Sequence, residues 1–463
     1  MDAIAEKRFA SALILVSATF VLFVGSTVEE LHATSVFYAA LAREMLEAGS
    51  FASIFLDERA YLLKPPLTFV TAALSMELFG INGFAATLGT RLSGIAIVLL
   101  TYAITARALS PLHGVIAAFV VLSNSTFIQF TTTIRTDAMM SVGMLLVVLG
   151  WLNLPKRWAN CSLFIGLSFG LLAKGPAALL ILPVLIAHRL LVRERKFIEI
   201  RAWTAIFLLP PLCWYGILIV QHGWQPLLEL TSDFSRASSN PGLSFWNSVA
   251  LEYFEKPLRR YWPWLPFMIM GAVVSLIGRQ RRHQENRIGQ WLAAWVGIML
   301  LVGIVKPDHD IRYLYPALPA LGGLAALGLM HLFPRLPLLP TSGVLAVVVI
   351  GFALSYGINN RHDINREIVC FEEHASSIKA LAAVDAMAIS LTQPRRQNTH
   401  RDWSYFYLGI ESRNYTFAEF HRADPYQYLL IGQGSRGRAF LEDSPYTVIC
   451  ETKKMKLARR RVP

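Results

Sequence analysis

Long apolar runs separated by short basic clusters occupy most of the chain. Runs near Phe9–Gly25, Phe84–Ala108, Val115–Phe130, Met139–Leu154, Cys161–Leu172, Ala177–Val192, Trp203–Val220, Trp262–Ile277, Trp291–Val305, Leu314–Leu332 and Gly343–Ile358 have no polar face. Helices that are apolar all round sit in a core or a bilayer. About 20 such residues cross a membrane, somewhat fewer where flanking charges snorkel. The pattern predicts about eleven transmembrane helices. The first run follows Lys7 and Arg8 and is short enough to be a signal peptide. No small-x-small cleavage site follows it, so it reads as a retained anchor.

Lys7/Arg8, Arg107, Lys156/Arg157, Arg189/Arg193/Arg195/Lys196 and Arg279/Arg281/Arg282/Arg287 all fall on one side of these spans. Cytoplasmic loops collect Lys and Arg, which puts the N-terminus inside. Residues 26–83, Gln221–Tyr261, Lys306–Tyr313 and everything after Asn359 then lie outside. Residues 1–358 form the membrane domain and 359–463 a small soluble one. In that tail, short strands are predicted at Ala386–Leu391, Tyr426–Ile431 and Tyr446–Glu451, with a helix near Ala375–Val384, hence a small α/β domain. Cys370 and Cys450 both belong to it; an oxidising periplasm allows a disulfide, and two separate buried thiols are the alternative. The terminal run KKMKLARRR normally argues for the cytoplasm; in a periplasmic tail it would bind anionic lipid. One miscounted span would move this domain inside.

Of the 463 residues, 54% are hydrophobic and 16% charged, against about 25% charged in soluble domains. This excludes a cytosolic enzyme, a disordered chain and a disulfide scaffold. The net charge of +12 follows from cytoplasmic loops and from a polyanionic lipid substrate, not from nucleic acid. There is no Walker loop, no Gly-rich dinucleotide fingerprint and no clustered Cys/His set, so neither a nucleotide cofactor nor a metal site is expected from motifs.

The basic residues on the outer side are the informative exceptions: Arg43, Arg59, Lys64, Arg135, Lys174, Lys256, Arg259, Arg260, Lys306 and Arg312. Singly, each is as well explained by lipid headgroups; as a set they point to an outward-facing cavity for anionic groups. The first outer segment predicts two amphipathic surface helices, near Ser35–Ala48 and Pro66–Phe79. Between them stands Lys64-Pro65-Pro66. It is either a plain turn or a rigid mount for Lys64, because proline holds its predecessor extended and itself starts a helix. The outer stretch Gln221–Tyr261 carries Trp224, Phe234, Phe245, Trp246, Tyr253 and Phe254, which would shape an acceptor entry or form an interfacial belt.

The run AREMLEAGSF…YLLKPPLTFVTAALSMELFGINGFAATLGTRLSG is followed in order by Arg135-Thr136-Asp137, GLLAKGP with Lys174, and Lys306…Arg312-Tyr313-Leu314-Tyr315-Pro316. This ordered set resembles the polytopic GT-C glycosyltransferases, the protein O-mannosyltransferase-like enzymes that include bacterial aminoarabinose–lipid A transferases. The resemblance covers most of the first 330 residues and none of the tail. It implies an α-helical polytopic membrane fold in the bacterial inner membrane, a polyprenyl-phosphate sugar donor, no nucleotide, and inverting transfer on the periplasmic side. Lys64, Arg43, Arg91 and Arg312 are then expected to hold the donor phosphate, with Arg135, Lys174 and Tyr313 as further substrate contacts. Asp137 is expected to be catalytic by positioning acceptor or donor.

Four positions depart from that family. A first-helix acid is Thr34, its following Glu is Ser35, a basic position is Phe37, and the acid preceding the Lys-Pro-Pro lysine is Leu63. A divalent metal is compatible with the family, but its proposed site at the last of these positions does not carry over. Glu29, Glu30 or His32 supplies the missing base, with Glu30 the choice; or the acceptor is already ionised and needs none; or the member is non-catalytic. The expected function is transfer of one sugar from the carrier to a lipid or glycan acceptor, foremost lipid A or lipopolysaccharide, among membrane lipids and without nucleic acid. The alternative is a flippase for a polyprenyl-linked sugar or other lipid, which the lack of inverted repeats disfavours.

Overall fold

The computed structural model describes residues 3–24, 31, 34–51, 54–56, 59–192, 200–225, 228, 244–278, 283–306, 309–359, 369–374, 389–392, 399–409, 413–416, 428–432, 440–442, 444–452 and 455–461. The predicted helix Ala375–Val384 and the residues Glu29, Glu30 and His32 lie outside these. The chain divides into two compact units. One comprises Met1–Val24, Tyr61–Thr68 and Thr90–Tyr356; the other comprises Gly25–Ala60, Phe69–Gly89 and Gly357–Pro463.

The first unit is a helical membrane bundle. Among the described residues six helices are long and apolar enough to span a bilayer: Gly83–Ala108, Thr136–Asn153, Arg157–Val192, Ala202–His222, Gln284–Val305 and Ile311–Leu332. Shorter apolar helices run Leu265–Ile277 and Leu338–Gly351; a third, Leu67–Phe79, belongs to the second unit from Phe69 on, as does Gly83–Ala108 up to Gly89. Several of the eleven expected spans differ in shape from straight rods. The run near Val115–Phe130 is a bent pair, Pro111–Leu122 and Ser125–Thr131, with a 67° break. Asn124 causes it: its side chain accepts from the Thr126 and Phe127 amides at 2.9 and 3.1 Å, capping a new helix. The two runs between residues 161 and 192 belong to one continuous helical stretch, Arg157–Val192, interrupted by a tighter 3-10 turn at Gly175–Leu180.

The hairpin of Thr136–Asn153 and Arg157–Lys174 sets the geometry of the site. These helices touch backbone to backbone. A Cβ on Gly143 would fall 2.6 Å from the Gly166 carbonyl, and one on Gly166 equally close to that of Gly143. Small residues permit this approach inside a membrane, where close packing replaces the hydrophobic effect as the cohesive force. The core beside it is aromatic, with Trp291, Trp295, Phe119, Phe127 and Tyr315 fully buried.

The second unit contains the helix Thr34–Glu47, the helix Thr399–Leu408 and a five-stranded sheet. Its strands lie in the order Arg413–Thr416, Ile389–Thr392, Tyr428–Gly432, Met455–Arg460, Tyr446–Glu451; the first three are parallel and the last two antiparallel. Leu429, Ile431, Tyr446 and Ala458 pack on one another. The three predicted strands are present, at Ile389–Thr392, Tyr428–Gly432 and, with the predicted bounds, Tyr446–Glu451. Two further strands and the helix Thr399–Leu408 are additions. The basic C-terminal run supplies one of them: Met455–Arg460 pairs on both edges, and Lys456 meets Glu451 at 3.2 Å. The strand buries Met455, Leu457 and Ala458, which lie on both of its faces, while Lys456 and Arg460 are half-buried and Arg459 is exposed. Tyr405 donates to Glu47 Oε2 at 2.8 Å; burial, and then this carboxylate, push its hydroxyl well above the usual tyrosine range.

Cys370 and Cys450 form a disulfide across 80 residues of chain. Closing a loop of that length removes about 4.5 kcal/mol of unfolded-state entropy. Thiol reduction, or Cys450→Ser, is therefore expected to lower the unfolding temperature of the second unit by several degrees. Scanning with and without reductant measures it, and identical traces would refute the contribution.

Candidate functional site

The hairpin has an electrostatic consequence at its open end. Asp137 occupies the first turn of one helix and Lys174 the last turn of the other. An anion is favoured at a helix N-terminus and a cation at a C-terminus, so the two helix dipoles support both charges. Antiparallel packing then brings them together: Lys174 Nζ lies 2.5 Å from Asp137 Oδ1, with side-chain exposures of 12% and 6%. Gly175 ends the lysine's helix at φ 66°, a left-handed conformation that favours glycine, and Pro176 starts the next turn. The sequence GLLAKGP is thus a mount that stops the helix with the lysine at its tip.

Lys64 arrives from the Lys-Pro-Pro turn. It is 8% exposed, and Thr68 at the start of the following helix donates to the Met139 sulfur at 3.5 Å, tying that turn to the Asp137 helix. Lys306 and Arg312 arrive from the connection into the 3-10 turn Ile311–Ala317, which Asp310 caps by accepting from the Arg312 amide at 2.9 Å. Arg312 Nη2 donates to the Tyr313 hydroxyl at 3.0 Å. The Tyr313 ring has three cations around it: Lys306 at 4.8 Å, Arg312 at 5.1 Å and Lys174 at 6.0 Å from its centroid. Its face supplies electron density to all of them.

Lys64, Lys174, Lys306, Arg312 and Tyr313 line one pocket of about 640 Å³ including its mouth. The rest of its wall is apolar, chiefly Leu63, Met140, Met144, Leu180, Met299 and Val302. Lys306, which the sequence places among the outer cations and at the head of the Arg312-Tyr313 motif but not among the expected substrate contacts, is a further member. Arg135 stands at the N-terminus of the Asp137 helix, its guanidinium 4.6 Å from the Phe130 ring centroid. Arg135 and Arg312 both act on the Asp137 carboxylate through space.

Two expected donor-phosphate residues have other partners. Arg91 is 2% exposed and donates to the Leu22 carbonyl and, at 3.3 Å, to that of Thr132. It is absent from the pocket wall and joins the end of the first helix to the turn that precedes Asp137. Arg43 belongs to the second unit, where it pairs with Glu47 at 2.7 Å and donates to the Tyr405 and Phe406 carbonyls at 2.9 Å each. A divalent cation does not fit the pocket's donor set. Leu63 offers no ligand atom, and among the described lining residues there is no carboxylate, histidine or cysteine. The chemistry available is instead recognition of an anionic group by four cations beside an apolar wall, with a carboxylate adjoining.

Residues 63–214 match the model of the dolichyl-phosphate-mannose-protein mannosyltransferase family. Over 318 residues the chain is 20% identical to the undecaprenyl phosphate-alpha-4-amino-4-deoxy-L-arabinose arabinosyl transferase of Shewanella sediminis. That alignment takes in 63% of this chain and only 54%, about half, of that relative's length. Among solved structures, ArnT of Cupriavidus metallidurans bound to undecaprenyl phosphate superposes with a TM-score of 0.71 at 14% identity, covering 96% of this chain and 97% of that one. The archaeal oligosaccharyltransferase AglB of Archaeoglobus fulgidus, solved with an inhibitory peptide and a dolichol-phosphate, gives 0.57 at 11% identity, over 92% and 69%. The chain thus has the GT-C fold of these polytopic membrane proteins, and its residues 63–214 carry the sequence pattern of the dolichyl-phosphate-mannose-protein mannosyltransferase family.

Proposed function

We propose that this protein is an inverting glycosyltransferase of the bacterial inner membrane. It moves one sugar from a polyprenyl-phosphate carrier to an acceptor facing the periplasm, foremost lipid A, lipopolysaccharide or another lipid. The observation that carries the reading is the composition of the pocket: Lys64, Lys174, Lys306 and Arg312 beside a wall of Met140, Met144, Met299 and Val302. A lipid phosphate presents that pair of chemistries. The solved ArnT, so similar in fold, was crystallised with undecaprenyl phosphate.

In a single displacement the acceptor oxygen attacks the anomeric carbon opposite the carrier. The bond from that carbon to the phosphate oxygen breaks, and the electron pair leaves on the lipid phosphate. Fixed cations stabilise the charge that develops on the departing group, and need no reorganisation to do so. Lys64, Lys306 and Arg312 hold that phosphate, and Tyr313 braces Arg312 through its hydroxyl. Asp137 engages the acceptor, with Glu30 as the second acid. A hydroxyl acceptor passes its proton to a carboxylate as it attacks, whereas a phosphate acceptor arrives as an anion and needs no base.

The test is the purified full chain in liposomes with radiolabelled polyprenyl-phosphate sugars and a membrane-lipid extract. Label moving to an acceptor supports the transferase. Donor crossing the bilayer with no transfer from any sugar overturns it in favour of a flippase.

A further inference from the structure

Outside the pocket, the stretch from Ser244 to Tyr261 contains an irregularity with a target. Between the short helices Phe245–Ala250 and Lys256–Arg260, residues Leu251–Glu255 form a wider π-turn. Such turns are rare and concentrate at functional sites. This one turns two consecutive side chains toward the same backbone. Glu252 is 2% exposed, too buried for a carboxylate without partners. Lys256, one turn on, supplies the counter-charge, and Glu252 Oε2 accepts from the Ile311 amide at 3.1 Å. The neighbouring Tyr253 donates its hydroxyl to the Asp310 carbonyl at 3.1 Å. Phe245 adds a third contact, its ring edge-on to His309 at 4.9 Å.

Residues 309, 310 and 311 are thus gripped one after another. They lead into the 3-10 turn that presents Arg312 and Tyr313, and follow closely on Lys306. Asp310 is the centre of this grip: the carbonyl that accepts from Tyr253 also accepts from the Tyr313 amide at 3.1 Å, and its carboxylate caps the Arg312 amide. None of residues 244–261 lines the pocket.

We propose that Glu252 and Tyr253 are positioning residues. Acting through Asp310 and Ile311, they hold Lys306, Arg312 and Tyr313 in the arrangement that receives a lipid phosphate. The inference rests on the reading of the pocket as the carrier-phosphate site. The rigid support matters because fixed charges bind an anion better than charges that must first be ordered.

The probe is undecaprenyl phosphate itself, titrated into the full-length protein in nanodiscs. Glu252→Gln keeps the shape but withdraws the counter-charge of Lys256, so Tyr253→Phe, which deletes one hydroxyl, decides the question. Asp310 keeps its Tyr313 bond in that variant, and folding is expected to be unaffected. Tyr253→Phe should weaken undecaprenyl phosphate binding about three- to tenfold at an unchanged unfolding temperature. In a Lys306→Met/Arg312→Met background it should cause no further loss, since nothing is left to position. Native affinity in Tyr253→Phe, or an equal loss in both backgrounds, overturns the proposal while leaving the pocket reading intact. Native affinity in Lys306→Met/Arg312→Met overturns the pocket reading, and this inference with it.

Discussion

A Lys174→Met protein is expected to unfold well below the native temperature, and adding Asp137→Asn to recover most of that temperature but not the activity. The reason is the setting of the pair, 2.5 Å apart with side chains 12% and 6% exposed. Removing one member of a buried ion pair leaves the other charge in a poor solvent, at about 3–5 kcal/mol, whereas removing both charges is near neutral. Single variants should therefore be worse than the double, an order that no sum of independent losses produces. Activity follows a different rule. A carboxylate that takes or orients a proton in the transition state is worth about 10²–10⁴-fold. Asp137→Asn should cost that much alone or in the double variant. Thermal unfolding in detergent and carrier-to-acceptor transfer, measured on the three variants, separate the effects. Equal stability in all of them would mean that the pair is solvated and that the hairpin does not depend on it.

That pair also illustrates what the linear chain does and does not reveal. Asp137 and Lys174 are separately legible: one opens an apolar run beside Arg135, the other sits in a Lys-Gly-Pro break where a helix must stop. Their meeting depends on the antiparallel crossing at Gly143 and Gly166, which no local pattern specifies. The spans are legible for the same reason in reverse, because a bilayer demands continuous apolar runs whatever their neighbours are. Arg91 marks the limit of that logic. A charge inside a span reads as a functional group, yet two backbone carbonyls, Leu22 and Thr132, use it to tie a helix end to the turn before Asp137. Both meanings follow from the cost of a buried charge, and only the fold tells them apart. The C-terminal cations show a different limit: a run of Lys and Arg reads as an unstructured tail, yet Met455–Arg460 is a strand that buries Met455, Leu457 and Ala458 among its cations. Glu252 had no signal beyond a Glu four residues before a Lys, since its partner at Ile311 is remote in sequence.

Replacing Lys64 or Arg312 by Met is expected to weaken undecaprenyl phosphate binding about ten- to a hundredfold each, the worth of one charge-assisted hydrogen bond. Transfer should fall as well, by about 10²–10³ in rate, because the phosphate gains charge as it departs from the bound diester. Arg312→Lys should recover little. The guanidinium contacts the Tyr313 hydroxyl at 3.0 Å and lies over its ring, and a point charge on a flexible stem reproduces neither the fork nor the stacking. The salt response separates this pocket from a merely basic surface. Raising salt from about 0.1 M to 1 M shortens the Debye length from about 10 Å to about 3 Å and abolishes attraction between exposed charges. Lys64 and Lys306 are only 8% and 6% exposed, so the native affinity should change little over that range. Affinity that falls steeply with salt, in a protein indifferent to Lys64→Met and Arg312→Met, would instead place the lipid phosphate on the outer headgroup surface. The four cations would then have no part in chemistry.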